Sequence, residues 1–428
     1  MSIELIVHGA LWQGKAWDIL VADGRIRELL PTGQSAINAK QTIDANGLHA
    51  FPSMIDAHVH LRDPGQEYKE DIKSGLKAAA CGGFGAVMAM ANTRPVNDSA
   101  ATTVYIQSKA RTLYPHGPHL YPIGALSKGL RGEELAPLGE LVAAGCKAIS
   151  NDGQPVPDNH LFRRAVEYAA DLGVRVIDHC EDPGLTQGGV MNEGRVSCDL
   201  GLKGTPVVAE SVQVARDILL AEYLDLPIHL AHISCAQSVE LIAWAKKRGV
   251  KITAETCPHY LHWDDSLVQQ YNTLAKVNPP LRTKNDVEAI RQAVREGIID
   301  ILVTDHAPHA IHEKELPFDE AANGLSGLDT AWGLTLSLVQ EGHLSLADAH
   351  RLWCETPAGI FSLPCSSLRL GNPASFFLYA PDSPWLVSPE NMYSKGKNTP
   401  CLGQNLPGRI QIHIINGHVV FDRNSQKP

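Results

Sequence analysis

Eight short strand-like runs, interleaved with helix-like stretches, constrain this chain more than any other feature. The runs are Met54–His60, Gly85–Met90, His119–Ile123, Cys146–Ser150, Val174–Asp178, Pro227–Ala231, Lys251–Glu255 and Asp300–Thr304. Between them lie stretches such as Asp71–Ala80, His160–Leu172, Glu210–Tyr223, Ser238–Arg248 and Lys284–Glu296. Parallel strands need a crossover between them, and a helix is the usual one. Eight such units predict an α/β fold, a (β/α)8 TIM barrel. A doubly wound sheet is the alternative, but no glycine-rich phosphate loop follows the first run.

The two ends have another rhythm. Ile19–Ala22, Asp23-Gly24 and Arg25–Leu29 read as strand, turn, strand, and Arg409–Ile415, Asn416-Gly417 and His418–Phe421 repeat the pattern. Asp-Gly and Asn-Gly supply the positive φ angles that tight hairpins need. Strand-rich ends around a long middle predict a small β-sandwich domain built from residues 1–50 and 361–428, with the barrel at 51–360.

Composition agrees and excludes several function classes. The chain has 428 residues, 44% hydrophobic and 20% charged, enough apolar material for a large core. Its net charge of −10 repels phosphates, so a nucleic-acid partner is not expected. No run of 18 apolar residues offers a membrane span. The opening MSIELIVHGALWQG has an acidic start and no basic segment ahead of its apolar stretch, so it does not read as a signal peptide. Nine scattered cysteines, an odd number with no CxxC pair, predict reduced thiols and a cytoplasmic location.

The chemistry sits at the ends of the runs. The first closes with Asp56-Ala57-His58-Val59-His60-Leu61-Arg62. Side chains two apart on a strand point the same way, so His58, His60 and Arg62 are expected to share a face. An HxH pair alone is weak evidence for a metal site. Other runs, however, lead into Asp152, His179, His232 and Asp305. In a barrel all these ends meet at one mouth, where catalytic groups gather. Imidazole suits zinc. One or two Zn2+ ions are expected, two favoured, with Asp152 and a hydroxide bridging them. Asp305 can both ligate metal and shuttle a proton.

At this point a family becomes visible. His58-Val59-His60, Asp152, His179, His232 and Asp305 resemble the amidohydrolase superfamily. Further stretches resemble dihydroorotase of the long bacterial type: DAHVHLRDPG at 56–65, MANTRPVND at 90–98, SNDGQPV at 150–156, DHCED at 178–182, HISC at 232–235, ETCPHY at 255–260, KVNPPLR at 276–282, TDHAPH at 304–309 and SKGKNTP at 394–400. The resemblance runs from about residue 45 to the C-terminus. It implies interconversion of L-dihydroorotate and N-carbamoyl-L-aspartate, with Arg62, Asn92 and His309 holding the substrate and Asn278 as a weaker candidate. A planar guanidinium fork suits a carboxylate, which agrees for Arg62. A homodimer is expected, with an aspartate transcarbamoylase open as a further partner.

Some positions depart from the pattern or stay open. Ala91 stands before Asn92 where the family usually has proline. Many relatives bridge their metals with a carboxylated lysine, and Lys147 lies five residues before Asp152, on the opposite face of the same run. His229, three residues before His232, is expected to face a helix. His259 is a candidate for lining the pocket; His306 and His312 read as ordinary loop residues, and Cys180 as packing, with a thiol swung inward to compete for zinc as the alternative. Two rival readings remain. One is a hydantoinase, dihydropyrimidinase or allantoinase, whose rings lack dihydroorotate's carboxylate. The other is a non-catalytic relative serving as a transcarbamoylase scaffold, which would be free to lose the ligands this chain keeps.

Overall fold

The computed structural model describes residues 3–33 and 39–425. The N-terminal strands are β1 (Ile3–Trp12), β2 (Lys15–Ala22), β3 (Arg25–Pro31), β4 (Ala39–Asp44) and β5 (His49–Pro52). Eight parallel strands follow: β6 (Met54–Val59), β7 (Phe84–Ala89), β8 (His119–Pro122, resuming at Gly124–Ala125), β9 (Ala148–Ser150), β10 (Arg175–Asp178), β11 (Ile228–Leu230), β12 (Ile252–Thr256) and β13 (Ile301–Leu302). A helix follows each: α1 (Ile72–Cys81), α2 (Ala100–Leu113), α3 (Leu138–Ala143), α4 (Asn159–Asp171), α5 (Val208–Leu224), α6 (Ala236–Lys247), α7 (Lys284–Arg295) and α8 (Ala331–Gln340). The ring closes where His60 N donates to His306 O at 2.8 Å. This is the (β/α)8 barrel expected from the alternation.

The helices begin where the sequence offers caps. Asp71 and Ser74 form a reciprocal capping box on α1, Asp158 caps α4, and Thr283 with Asp286 boxes α7. Each such cap contributes about 1 kcal/mol. The strands are apolar on both faces because both are covered. One face, with Ile55, Met88, Ile177, Ala231 and Val303, fills the barrel together with Phe361 and Leu363. The other, with Val87, Ile149, Val176 and Leu302, packs against helix residues such as Leu76, Phe162, Ile218 and Ile290.

Both termini enter one sheet. Its order is C-terminal β16 (His418–Asp422), β15 (Arg409–Ile415) and β14 (Phe376–Ala380), then β5, β1, β2 and β3, with β4 also on β1. The two hairpin turns place Asp23 and Gly24 at φ 52° and 68°, and Asn416 and Gly417 at 49° and 79°. A separate core of Leu5, Val7, Ile19, Ile43, Phe376 and Ile414 holds the sheet together. Between β14 and β15 the chain leaves it. Trp385, Val387, Met392 and Cys401 pack against Leu334 of α8. Asn398 Nδ2 donates to Ala307 O and Gly324 O at 3.1 and 3.0 Å, and its Oδ1 accepts from His309 N at 2.8 Å. Part of the 361–428 segment therefore buttresses the mouth of the barrel.

Candidate metal centre and substrate cleft

Simple alternation from the inward-facing Ile55 and Ala57 would turn His58 and His60 outward. A bulge in β6 prevents this. Asp56 pairs with Val87 and Val59 with Ala89, so three steps on β6 match two on β7. One extra residue reverses the phase of everything after it. Val59 then packs among the helices, while His58 and His60 face the opposite wall of the mouth. Left-handed backbone re-aims other ends: Arg62 has φ 59°, His232 32° and Asp305 46°. Such conformations cost about 1–3 kcal/mol each and persist where surroundings enforce them.

These devices bring the six expected ligands into one cluster. His58 Nε2 lies 3.4 Å from Asp152 Oδ1, and His60 Nε2 lies 3.5 Å from Asp152 Oδ2. His179 Nδ1 and His232 Nε2 each lie 3.4 Å from Asp152 Oδ1. Asp305 Oδ1 is 3.1 Å from His60 Nε2 and 3.6 Å from His58 Nε2. Two groups of metal-competent atoms result: His58, His60 and Asp152, and Asp152, His179 and His232. Asp152 belongs to both. His58 Nε2 is buried without a hydrogen-bond partner, as expected of a nitrogen kept for a ligand. Nitrogen and carboxylate donors around a shared carboxylate fit a pair of divalent cations.

The outer ring nitrogens are held in turn. His58 Nδ1 lies 2.7 Å from Glu255 Oε1, and His60 Nδ1 lies 2.9 Å from Asn92 Oδ1. His179 Nε2 lies 3.3 Å from Glu181 Oε2, which also accepts from Asn278 Nδ2 at 2.8 Å. Such contacts orient metal-binding imidazoles. Burial opposes charge on His179, but Asp152 and Glu181 outweigh it and lift the ring to about 10. Burial likewise opposes charge on Asp152, yet His58, His179 and His232 hold it well below the usual carboxylate range. Without metal, protons on His58 and His179 offset the carboxylates.

The sequence reading did not assign Glu255 or Glu181 a role. Glu255 carried a signal: it is an acid at an inward position of a buried strand. It also corrects the reading of His229. That ring does not face a helix but lies inside the barrel, Nε2 2.9 Å from Glu255 Oε2 and Nδ1 2.8 Å from Thr253 Oγ1. The inference from spacing failed because His232 is itself turned off the strand. His229 shares its phase with the inward-facing Ala231.

Above the cluster opens a cleft of about 230 Å3. Arg62, Asn92, Asn278 and His309 line it, with Gly153, Ala307, Asn323 and Gly324 completing the wall. Arg62 Nε donates to Pro308 O at 3.3 Å, and its Nη2 lies 3.4 Å from His309 Nε2. No carboxylate among the described residues forms an ion pair with it within 4 Å. Burial pulls this guanidinium below its ordinary value. Burial, Arg62 and Lys69 push His309 down to about 3, so its ring is neutral.

The remaining candidates lie elsewhere. Lys147 lines a surface groove with Gln107, Tyr114 and Tyr121. His259 is buried, and burial pushes it to about 4; it borders a small gap beside Trp263 and Thr304, not the cleft. Cys180 is buried, and its thiol donates to Asp178 O at 3.5 Å. His312 is exposed and stacks on Tyr68. His306 is more than a loop residue: it is fully buried, its Nδ1 accepts from Gly327 N at 3.1 Å, and its Nε2 lies 3.4 Å from Glu70.

Known proteins are similar to this chain in sequence and in shape. Residues 48–238 match the family model described as Dihydro-orotase-like. A protein of Geobacter metallireducens named dihydroorotase is 48% identical over 95% of this chain and 95% of its own. One of Acetivibrio thermocellus with the same name is 47% identical over 94% of each. Among solved structures, an L-hydantoinase (dihydropyrimidinase) from Arthrobacter aurescens superposes with a TM-score of 0.87 at 23% identity, covering 98% of this chain and 96% of that one. A D-hydantoinase from Thermus sp. gives 0.83 at 21%, covering 99% and 96%. At those identities the likeness speaks for the fold. The near-half identity over almost the full length speaks for more: this chain belongs to the dihydroorotase family.

Proposed function

We propose that this chain catalyses the reversible, metal-dependent opening of the ring amide of L-dihydroorotate to N-carbamoyl-L-aspartate. The observation that carries this reading is Asp152, one carboxylate shared by two groups of donors beneath a cleft whose guanidinium has no carboxylate partner among the described residues. His58, His60, His179, His232, Asp152 and Asp305 would hold two zinc ions, with Asp152 between them. Bound cations supply a nucleophile from water at neutral pH and polarise the carbonyl under attack.

The chain's own residues do the rest. Arg62 offers a planar fork to the substrate carboxylate. Asn92 has its oxygen committed to His60 Nδ1, which leaves its amide hydrogens for the ligand. Asn278 donates to Glu181, which leaves its oxygen. Burial opposes charge on Asp305, but His60 and His58 hold it ionised, so it can accept a proton. In ring opening it takes the proton lost by water and delivers it to the departing ring nitrogen; in closure it takes the proton from the carbamoyl nitrogen.

A cytoplasmic homodimer, with an aspartate transcarbamoylase as a further partner, goes with this reading. The cytoplasmic part draws on two observations: no helix among the described residues is long and apolar enough to cross a membrane, and seven of nine cysteines are buried free thiols. The deciding experiment is turnover by the zinc-loaded protein of dihydroorotate, hydantoin and allantoin. Hydantoin or allantoin turnover without dihydroorotate turnover would overturn the assignment. Arg62→Ala should lower kcat/KM for dihydroorotate roughly ten- to hundredfold at unchanged metal content.

A further inference from the structure

Behind the cleft lie two lysines whose ammonium groups are buried without a counter-ion. Lys276 precedes the VNPP turn, and Lys314 ends the short helix Ile311–Lys314; both are almost fully buried. Lys314 Nζ donates to Ala322 O, Gly324 O and Lys276 O at 2.7, 3.1 and 3.3 Å. An ammonium has three donors, and all three are used. Lys276 Nζ donates to Ala321 O at 2.7 Å and Asp319 O at 3.0 Å. Every acceptor is a backbone carbonyl, and four of the five belong to residues 319–324. Neither ammonium pairs with a carboxylate within 4 Å among the described residues.

The segment they fasten is one wall of the cleft. Asn323 and Gly324 line it, and His309 Nε2 lies 2.9 Å from Asn323 O. The fit is close: Gly324 has φ 127°, and a Cβ there would lie 2.6 Å from Ala307 Cβ and 3.5 Å from His309 Nε2. Moving this strip by an ångström would reshape the surroundings of His309 and, through it, of Arg62.

Burying a charge is costly unless something compensates it. Carbonyl dipoles do so in part; a hydrophobic wall could have been built without the cost. Burial and the neighbouring Lys276 pull the Lys314 ammonium down to about 7, so near neutral pH an approaching anion favours its charged form. The Lys314 charge is also felt at His309, alongside those of Arg62 and Lys69.

We propose that Lys314 and Lys276 are positioning residues for the substrate's carboxylate. They fix residues 319–324 as the cleft wall and supply positive charge that a bound carboxylate completes. This rests on the dihydroorotate reading, so wild-type turnover of dihydroorotate is the first measurement; its absence refutes that reading rather than this one. Lys314→Met keeps the apolar stem and removes the charge. It should raise KM for dihydroorotate and for N-carbamoyl-L-aspartate at least about tenfold, with kcat within about threefold and metal content unchanged. Lys276→Met should move KM the same way by less. A variant with wild-type KM, or one that loses kcat alone, overturns the proposal. If neither variant folds, hydrogen exchange on the wild type decides: amides 319–326 must gain protection when N-carbamoyl-L-aspartate is added, and unchanged protection overturns it.

Discussion

On one side of Asp152, His58 and His60 have their outer nitrogens fastened at 2.7 and 2.9 Å, to Glu255 and to Asn92. On the other, His179 has Glu181 at 3.3 Å, and His232 Nδ1 is buried without a partner. Glu255 is fully buried within the barrel, whereas Glu181 is partly exposed. The first pair is aimed before any cation arrives; of the second, only His179 is held, by a residue at the rim. Outer contacts of this kind tune affinity. If each half takes a cation, as proposed, the two should therefore bind unequally, with the His58–His60 half the tighter.

The largest effect should come from removing what the halves share. Asp152→Ala takes a donor from both groups, so turnover should fall to background and metal content should drop in both halves. A variant that keeps two ions and full activity would show that the halves do not meet at this residue. Next comes Asp305→Asn, which preserves shape and removes the proposed base. It should cost about 10²–10⁴ in kcat in both directions. Metal content must be measured in the same sample, because Asp305 also lies 3.1 Å from His60. Near-normal turnover with metal intact would pass the proton to His309 or to water.

The comparison itself is tested by paired substitutions. Glu255→Gln should weaken one ion about 10- to 100-fold, the usual range for such partners, and Glu181→Gln should weaken the other by less. Titration with a chelator separates the ions. Equal effects, or a larger one for Glu181→Gln, would erase the distinction.

Much of this site was legible because strand ends are marked by the residues themselves. His58, Asp152, His179, His232 and Asp305 follow predictable runs, and the barrel brings those runs to one mouth. What was not legible depends on phase and on distance along the chain. The bulge at Ala57–His58 leaves no mark in an apolar run, and only the register with β7 reveals it. His229 was misjudged because its reference, His232, had left the strand. Asn398 meets Ala307 and Gly324 across more than 70 residues, a contact no local pattern records. The burial of Lys276 and Lys314 leaves no mark in the sequence, since lysine is usually a surface residue.

The smallest effect concerns protons, and it follows from the same two halves. In the metal-free centre each half carries one ring lifted above its ordinary value, His58 in the first and His179, at about 10, in the second. In both cases burial opposes the charge and neighbouring carboxylates outweigh it. A cation needs the neutral ring, so loading must expel those protons. Loading both halves at pH 7 should release on the order of two protons, measurable in a weakly buffered titration. The sign for stability follows from His179. Its folded value of about 10 exceeds the unfolded 6.5, so its proton stabilises the metal-free protein fully below pH 6.5. That contribution fades as pH rises through about 10. The loaded protein holds the ring neutral throughout and has no such contribution to lose. The gap in Tm between loaded and metal-free protein should therefore widen from pH 6.5 toward pH 10. A gap that narrows over that window, with no protons released on loading, would mean that the rings are already neutral before a cation binds.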